Sequence, residues 1–346
     1  MVSARWLAAV LLLGTAALSP VYAQNNTPAT TTKPPDYTTA LGVGLEEIAY
    51  PYPVGYMPIT INGKLERIAF MDVAPSGSSK GQTVVLLHGK NFWGGYWHET
   101  IAALTQAGYR VIVPDQIGFG KSSKPDDIVY SFDLLADNTR ALLDYVKVNK
   151  ASIVGHSMGG MVAVRFARAY PDRVNKLVLE DPIGLEDYRL KAPPRSTDDL
   201  IKDELAQTVE GIRKYRQAYF VNWLPAYERF VEVPARVRLS GEYARWARVS
   251  ALTSQMIYQQ PVRHEFSLIQ PRTLLVIGTQ DRTAIGKDRV SKEVAATMGQ
   301  YPELGQAAVK DIPRATLVEI PDCGHIPHIE AETVFHEALL KFLAEK

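Results

Sequence analysis

The sequence predicts an α/β fold, a mostly parallel, doubly wound sheet interrupted once by a helical insertion. Three observations carry that prediction. Unbroken apolar runs recur along the chain, "TVVLLHG", "RVIVPD", "ASIVGHS", "VNKLVLED" and "RTLLVIG". Such runs suit strands buried on both faces, as parallel strands are. Helical stretches lie between them, and strand–helix alternation argues for a parallel sheet covered on both sides. From about residue 183 to 270 the alternation stops, and helical periodicity continues without strands.

The elements follow in order. "MPITINGKLERIAFMDV" has two strand-like runs around Asn62-Gly63, the strongest short hairpin signal. "TVVLLHG" is a buried strand, and "HETIAALTQAGY" a short helix closed by Gly108. "RVIVPD" is the next strand. From Ser131, apolar residues recur at spacings of 3 and 4 through Phe132, Leu135, Leu142 and Val146, an amphipathic helix with a serine cap. "ASIVGHS" is a strand, "MGGMVAVRFARAY" a helix stopped before Pro171, and "VNKLVLED" a strand. In the insertion, Leu205, Val209, Ile212, Tyr219 and Trp223 fall on one helical face. "RTLLVIG" and "ATLVEI" resume the strands, and "EAETVFHEALLKFLAE" closes the chain as a helix.

The 346 residues carry a formal net charge of +1 with no basic stripe or acidic tail, so nucleic acid is not an expected partner. "MVSARWLAAVLLLGTAALSPVYAQ" has one basic residue, an apolar run from Trp6 to Leu18 and the small-residue site Val21-Tyr22-Ala23. That is the order of a secretory signal, and the run is shorter than the roughly 20 residues a bilayer span needs. The expected layout is a signal peptide over 1–23 cleaved after Ala23, a disordered Thr/Pro-rich leader over 24–44, core over 45–182, helical insertion over 183–270 and core over 271–346. Cleavage would leave no stable membrane insertion. The single cysteine, Cys323, cannot form an internal disulfide, which fits a bacterial periplasmic or secreted enzyme. Oligomeric state is not legible.

"GHSMGG" places Ser157 between Gly155 and Gly159 straight after a strand. This G-x-S-x-G spacing is that of a nucleophile elbow, in which a sharp strand-to-helix turn exposes the serine hydroxyl. The pentapeptide alone is also an ordinary turn. A serine needs a base to take its proton, and the base needs an acid to fix its tautomer. Candidate acids lie after strands: Asp281 in "GTQDRT", Glu180 and Asp181 in "LVLED", and Asp115 in "VPD". The candidate base is His325 in "EIPDCGHIPHIE". His328 is the rival, read as a surface residue at the start of the last helix, and His336 as a surface or lid residue. His88 is read as holding its loop by its ring, His156 as packing at the elbow, and Asp115 as bracing the "QIGFGKS" loop. No metal-ligand spacing is present, and no cofactor is expected.

With "LLHGKNFWGGYW", "VPDQIGFGKS", "GHSMGG", "GTQDRT" and "DCGHIPHIE" in this order, the chain resembles the α/β-hydrolase superfamily, the branch with a helical lid, over about residues 45–346. The resemblance implies a Ser157–His325–Asp281 triad, with Asp181 as the alternative acid used by some members. It implies an oxyanion hole from the backbone N–H groups of Met158 and Lys90, although "KNFWGG" departs from the usual loop and leaves Asn91 or Phe92 as alternatives. Epoxide hydrolases and haloalkane dehalogenases are disfavoured, because they need aspartate where this chain has Ser157. The expected activity is hydrolysis of carboxylic esters with an apolar or aromatic part. Hydrolysis of carbon–carbon bonds in ring-cleavage products, amide hydrolysis and cofactor-free perhydrolysis use the same triad. A non-catalytic binding protein on the same fold is the alternative of another class. The substrate is expected to be a small molecule. The insertion is rich in aromatics, and a few of them are expected to face the site together with Trp93, Tyr96 and Trp97. Its charges nearly cancel, so no strongly charged substrate is implied.

Overall fold

A computed structural model describes Pro35 and residues 37–345. The expected signal peptide and most of the expected leader lie outside these residues. Eight strands form one sheet: β1 (Val54–Ile61), β2 (Lys64–Val73), β3 (Thr83–Leu87), β4 (Arg110–Pro114), β5 (Ala151–His156), β6 (Val174–Glu180), β7 (Arg272–Gly278) and β8 (Ala315–Ile320), in the order β1-β2-β4-β3-β5-β6-β7-β8. The β1–β2 and β2–β4 pairings are antiparallel and all others parallel. The hairpin forms at Asn62-Gly63, both in the left-handed region (φ 49° and 76°), as a two-residue loop joining right-twisted strands requires.

Eleven helices surround or interrupt the sheet among the described residues: α1 (His98–Gln106), α2 (Phe132–Tyr145), α3 (Met158–Ala169), α4 (Thr197–Leu205), α5 (Val209–Gln217), α6 (Arg229–Val237), α7 (Tyr243–Gln259), α8 (Lys292–Ala296), α9 (Tyr301–Asp311), α10 (Pro327–Glu330) and α11 (Glu332–Ala344). Alternate residues of β3 enter opposite cores: Val85 and Leu87 pack with Phe132, Leu135 and Val162, whereas Val84 and Leu86 pack with Ile101, Leu104 and Phe335. Helices therefore cover both faces, which is why the central strands read as continuous apolar runs. No described helix is long and apolar enough to cross a membrane.

Two expectations change. The helical face read through Leu205, Val209, Ile212, Tyr219 and Trp223 is not one helix. Thr208 restarts the helix as a cap, its hydroxyl accepting the Gly211 N–H at 3.0 Å, and Leu205 is left exposed. Residues 41–44, the end of the leader expected over 24–44, also pack on the core. Leu41, Val43 and Leu45 are buried against Val233 and Val237 of α6, and the Leu41 N–H donates to the Arg236 carbonyl at 3.1 Å. The Thr/Pro-rich stretch ends at Asp36, and the apolar residues that follow have a hydrophobic surface to cover.

The sheet places the site. β3 leads outward to β4 on one side, and β5 lies on its other side. The loops after β3 and β5 thus part at a switch point at the carboxyl ends of the strands, where open α/β sheets form their crevice.

Candidate active site

Ser157 stands between β5 and α3 with φ 55° and ψ −120°, a conformation that L-residues rarely adopt and that marks functional strain. The turn is tight enough to exclude side chains beside it. A Cβ on Gly155 would lie 2.3 Å from the Gly159 carbonyl oxygen, and one on Gly159 would lie 2.1 Å from that of Leu87. The spacing of the two glycines is thus a consequence of chain crossing.

His325, in the loop between β8 and α10, brings Nε2 to 3.0 Å from Ser157 Oγ, while its Nδ1 lies 2.6 Å from Asp281 Oδ2. A carboxylate on Nδ1 fixes the tautomer: Nδ1–H donates to Asp281, and Nε2 is free to accept the serine proton. Asp281 is held in turn, Oδ1 accepting the Thr283 N–H at 2.8 Å. All three side chains are nearly inaccessible to water. Asp181, the alternative acid, points elsewhere. Its carboxyl oxygens take the Gly278 N–H at 3.0 and 3.1 Å, and burial, then the nearby Asp281 charge, push its pKa well above the usual range.

The backbone of His325 is pinned from two sides. Its N–H donates to the Tyr219 carbonyl at 2.7 Å, and its carbonyl accepts from His156 Nε2 at 2.7 Å. His156 Nδ1 accepts the Tyr96 hydroxyl at 2.9 Å, and Tyr96 Oη accepts the Gly89 N–H at 3.1 Å. This buried chain runs Gly89–Tyr96–His156–His325. It ties the loop after β3 to the turn after β5 and to His325, and each donor meets one acceptor only if His156 is neutral. Burial lowers the His156 pKa well below the ordinary value, consistent with that state.

Several expectations are corrected here. His328 is not a surface residue. It is buried, stacked on Trp97 at 4.0 Å, with Nδ1 and its N–H donating to Glu180 Oε1 at 2.8 and 2.7 Å. Its apolar neighbours Ile326, Pro327 and Ile329 were the available signal. Burial depresses its pKa and raises that of Glu180 to about 7. His336 is also largely buried, 3.1 Å from the Thr100 hydroxyl. Of the three aromatics expected at the site, Trp97 is fully buried and Tyr96 is spent on the hydrogen-bond chain, and only Trp93 lines the cavity beside the loop after β3. In the insertion, Trp246 lines that cavity, whereas Trp223 packs on Phe220 and Tyr227.

His88 bridges two loops, Nδ1–H donating to the Gly89 carbonyl at 2.8 Å and Nε2 accepting the Gln116 N–H at 3.0 Å. Asp115 braces both neighbouring loops, Oδ1 accepting the Gly94 N–H and Oδ2 accepting the Lys121 N–H and the Tyr50 hydroxyl, each at 2.7 Å. Met158 is the first residue of α3, where free N–H groups and the helix dipole favour negative charge. Of the three candidates in the loop after β3, Phe92 spends its N–H on the Gly89 carbonyl at 3.2 Å, leaving Lys90 and Asn91. Cys323 is buried, and burial raises its thiol pKa, so it supplies no thiolate.

The arrangement can activate a hydroxyl, hold an imidazolium beside a carboxylate and present backbone donors to an oxyanion. Comparison with known proteins agrees with that chemistry. The family model of the alpha/beta hydrolase fold matches residues 82–332. A crystal structure described as a probable hydrolytic enzyme from Pseudomonas aeruginosa PAO1 is 47% identical, with a TM-score of 0.87 over 90% of this chain and 100% of that one. The 2-hydroxy-6-oxo-6-phenylhexa-2,4-dienoate hydrolase of Burkholderia cepacia is 28% identical over 83% of this chain and 95% of its own length. A 2-hydroxy-6-oxononadienedioate/2-hydroxy-6-oxononatrienedioate hydrolase of Comamonas testosteroni is 27% identical with the same coverage.

Proposed function

The chain belongs to the α/β-hydrolase fold family, and from that premise we propose that it is an exported serine hydrolase of carboxylic esters working through an acyl-enzyme on Ser157. The observation that carries this reading is the unbroken Ser157–His325–Asp281 hydrogen-bond chain of 3.0 and 2.6 Å. Ser157 Oγ attacks the carbonyl carbon as His325 Nε2 takes its proton, and Asp281 stabilises the imidazolium. The N–H groups of Met158 and Lys90 hold the oxyanion. Collapse of the tetrahedral adduct breaks the ester C–O bond, and the imidazolium returns the proton to the leaving alcohol. Water, deprotonated by His325, then attacks the acyl carbon, releases the carboxylic acid and restores the Ser157 hydroxyl.

A second reading, hydrolysis of a carbon–carbon bond in a ring-cleavage product, is favoured by the names of the two relatives aligned over 83% of the chain. Two measurements test the pair. A fluorophosphonate should label the wild-type protein and not Ser157→Ala; an unlabelled wild type would refute the activated serine. Turnover of 4-nitrophenyl esters beside a ring-cleavage dienone then separates the readings, since a kcat/KM for the dienone above that of every ester replaces the first with the second. Export rests on the 1–23 segment, and an N-terminus at Gln24 in protein from the native host is the expected mass-spectrometric result. An intact Met1 in the membrane fraction would oppose it.

A further inference from the structure

Beside the loop after β3 lies a cavity of about 70 Å³, and its charged lining is unbalanced. Two cations reach it, Lys90 from the loop and Arg216 from α5, with Glu204 as the one acid. Lys90 Nζ donates to Ser250 Oγ at 3.1 Å, and that hydroxyl donates to Glu204 Oε2 at 2.9 Å. Glu204 therefore compensates Lys90 through one hydroxyl. Arg216 is 6% exposed. Its Nε donates to the Phe230 carbonyl at 3.2 Å and its guanidinium lies 5.5 Å from the Phe92 ring centre. Nη1 has no hydrogen-bond partner, and Arg216 makes no ion pair among the described residues. A buried guanidinium without an anion is costly to keep, and its planar fork is shaped to bind a carboxylate.

We propose that this cavity is the carboxylate end of the substrate site, so that the preferred substrate is an acyl compound carrying a free carboxylate held by Arg216 and Lys90. This rests on the serine-hydrolase reading and names its substrate class. It also replaces the expectation that no strongly charged substrate is implied, because cancellation of charge over a segment says nothing of which charges face inward. The cavity and the reacting atoms share one loop. A Cβ on Gly89 would sit 3.1 Å from Ser157 Cβ, and Lys90 is the next residue. Asn91 lines the cavity and donates to the Tyr219 hydroxyl at 2.8 Å, while the Tyr219 ring lies 4.9 Å from that of His325. The volume is enough for a carboxylate, and because Lys90 directly follows Gly89 that carboxylate lies a few bonds from the scissile carbonyl.

The test compares mono-4-nitrophenyl glutarate with its neutral methyl ester in the full chain. The expected result is a kcat/KM ratio of about 10–100 in favour of the acid, the span of a charge-assisted contact. Arg216→Met should reduce that ratio at least tenfold, and Arg216→Lys should restore part of it. A wild-type ratio near one, or a ratio unmoved by Arg216→Met, overturns the assignment. Should Arg216→Met fold poorly, the same ratio in Lys90→Met decides, a fall supporting the site and no change overturning it. If neither ester is turned over, the ester reading fails by itself, and glutarate binding settles the cavity separately. Glutarate should then raise the Tm of the wild type and not that of Arg216→Met, and no rise in the wild type overturns the proposal. Stabilisation by acetate with a kcat/KM ratio near one would mean a free-anion site and would overturn the substrate assignment too.

Discussion

Ser157 sits at φ 55° and ψ −120°, and nothing in its side chain favours that conformation. The surrounding contacts hold it: its N–H donates to the Glu180 carbonyl at 3.1 Å, and its carbonyl accepts the Gly160 N–H at 2.9 Å. Ser157→Ala keeps these backbone bonds, so the fold should survive while kcat falls roughly 10³–10⁶-fold. Asp281→Asn should cost more than Asp181→Asn, because only Asp281 meets His325, and steady-state kinetics on both variants checks the order. Titration gives another expectation. Burial is the leading cause that lowers the pKa values of His88, His156, His328 and His336, and that raises those of Glu180 and Asp181. Between about pH 4.5 and 6.5 the unfolded chain protonates the four histidines and ionises the two acids. The two raised acids oppose the four lowered histidines, and the histidines outnumber them, so the net direction is proton uptake on unfolding. Stability should therefore be lost as pH falls below about 6.5, and a Tm that is flat or rising from pH 6.5 to 5 would contradict this. That Ser157, His325 and Asp281 come together was legible, because a turn motif and chain order single them out. The partners of His156 were not: Tyr96 lies 60 residues upstream and His325 169 residues downstream, and no spacing rule links them.

The insertion shows which elements can be read and which cannot. Its helical character followed from periodicity, and the central strands from apolar runs buried on both faces. Between β7 and β8, however, lies α9, which the sequence reading does not include although Tyr301, Leu304, Ala308 and Val309 recur at helical spacing and pack on the core. Gly305 and Ala308 dilute that stripe with small groups, and a Cβ on Gly305 would come within 2.9 Å of Ile277. The orientation of aromatics was equally hidden, since a tryptophan facing a cavity and one packed among rings have the same periodicity. The structure separates them, and so should mutation. Trp223→Ala removes ring contacts at 5.7 Å to Phe220 and 5.8 Å to Tyr227. It should lower Tm by roughly 4–8 °C, a fraction of the loss for a fully buried tryptophan, and reduce all ester activities alike. Trp246→Ala enlarges the cavity instead, so its kcat/KM should change unequally across acyl lengths with a smaller effect on Tm. Differential scanning calorimetry and an ester series measure both, and the reverse pattern would exchange the two assignments.

At the scale of the molecule, the segment before the sheet and the insertion after β6 meet at the cavity beside Lys90. Leu41, Val43 and Leu45 cover α6, Leu45 also lines the cavity beside Lys90, and Val233 and Pro234 of α6 line the same cavity. Polar contacts fix the register of this strap. Arg236 reaches the Thr39 carbonyl at 3.1 Å and Glu47 at 2.6 Å, and the Tyr37 hydroxyl donates to Glu228 Oε1 at 3.0 Å. Removing the strap uncovers Val233 and Val237 and opens one wall of the cavity. Each apolar side chain buried there contributes about 1.5–3 kcal/mol relative to exposure, and the entropy of ordering the segment offsets part of that. A chain beginning at Glu46 should therefore be less stable than one beginning at Tyr37 by about 2–4 kcal/mol, a Tm difference of roughly 4–10 °C. Its kcat/KM should fall too, because α6 loses the packing that holds its cavity-facing turn. The loss should appear mainly in KM, since Ser157, His325 and Asp281 stand on the sheet and its loops rather than on α6. Equal Tm values for the two truncations would mean that the strap is passive. A loss confined to kcat would mean that it acts on the triad itself.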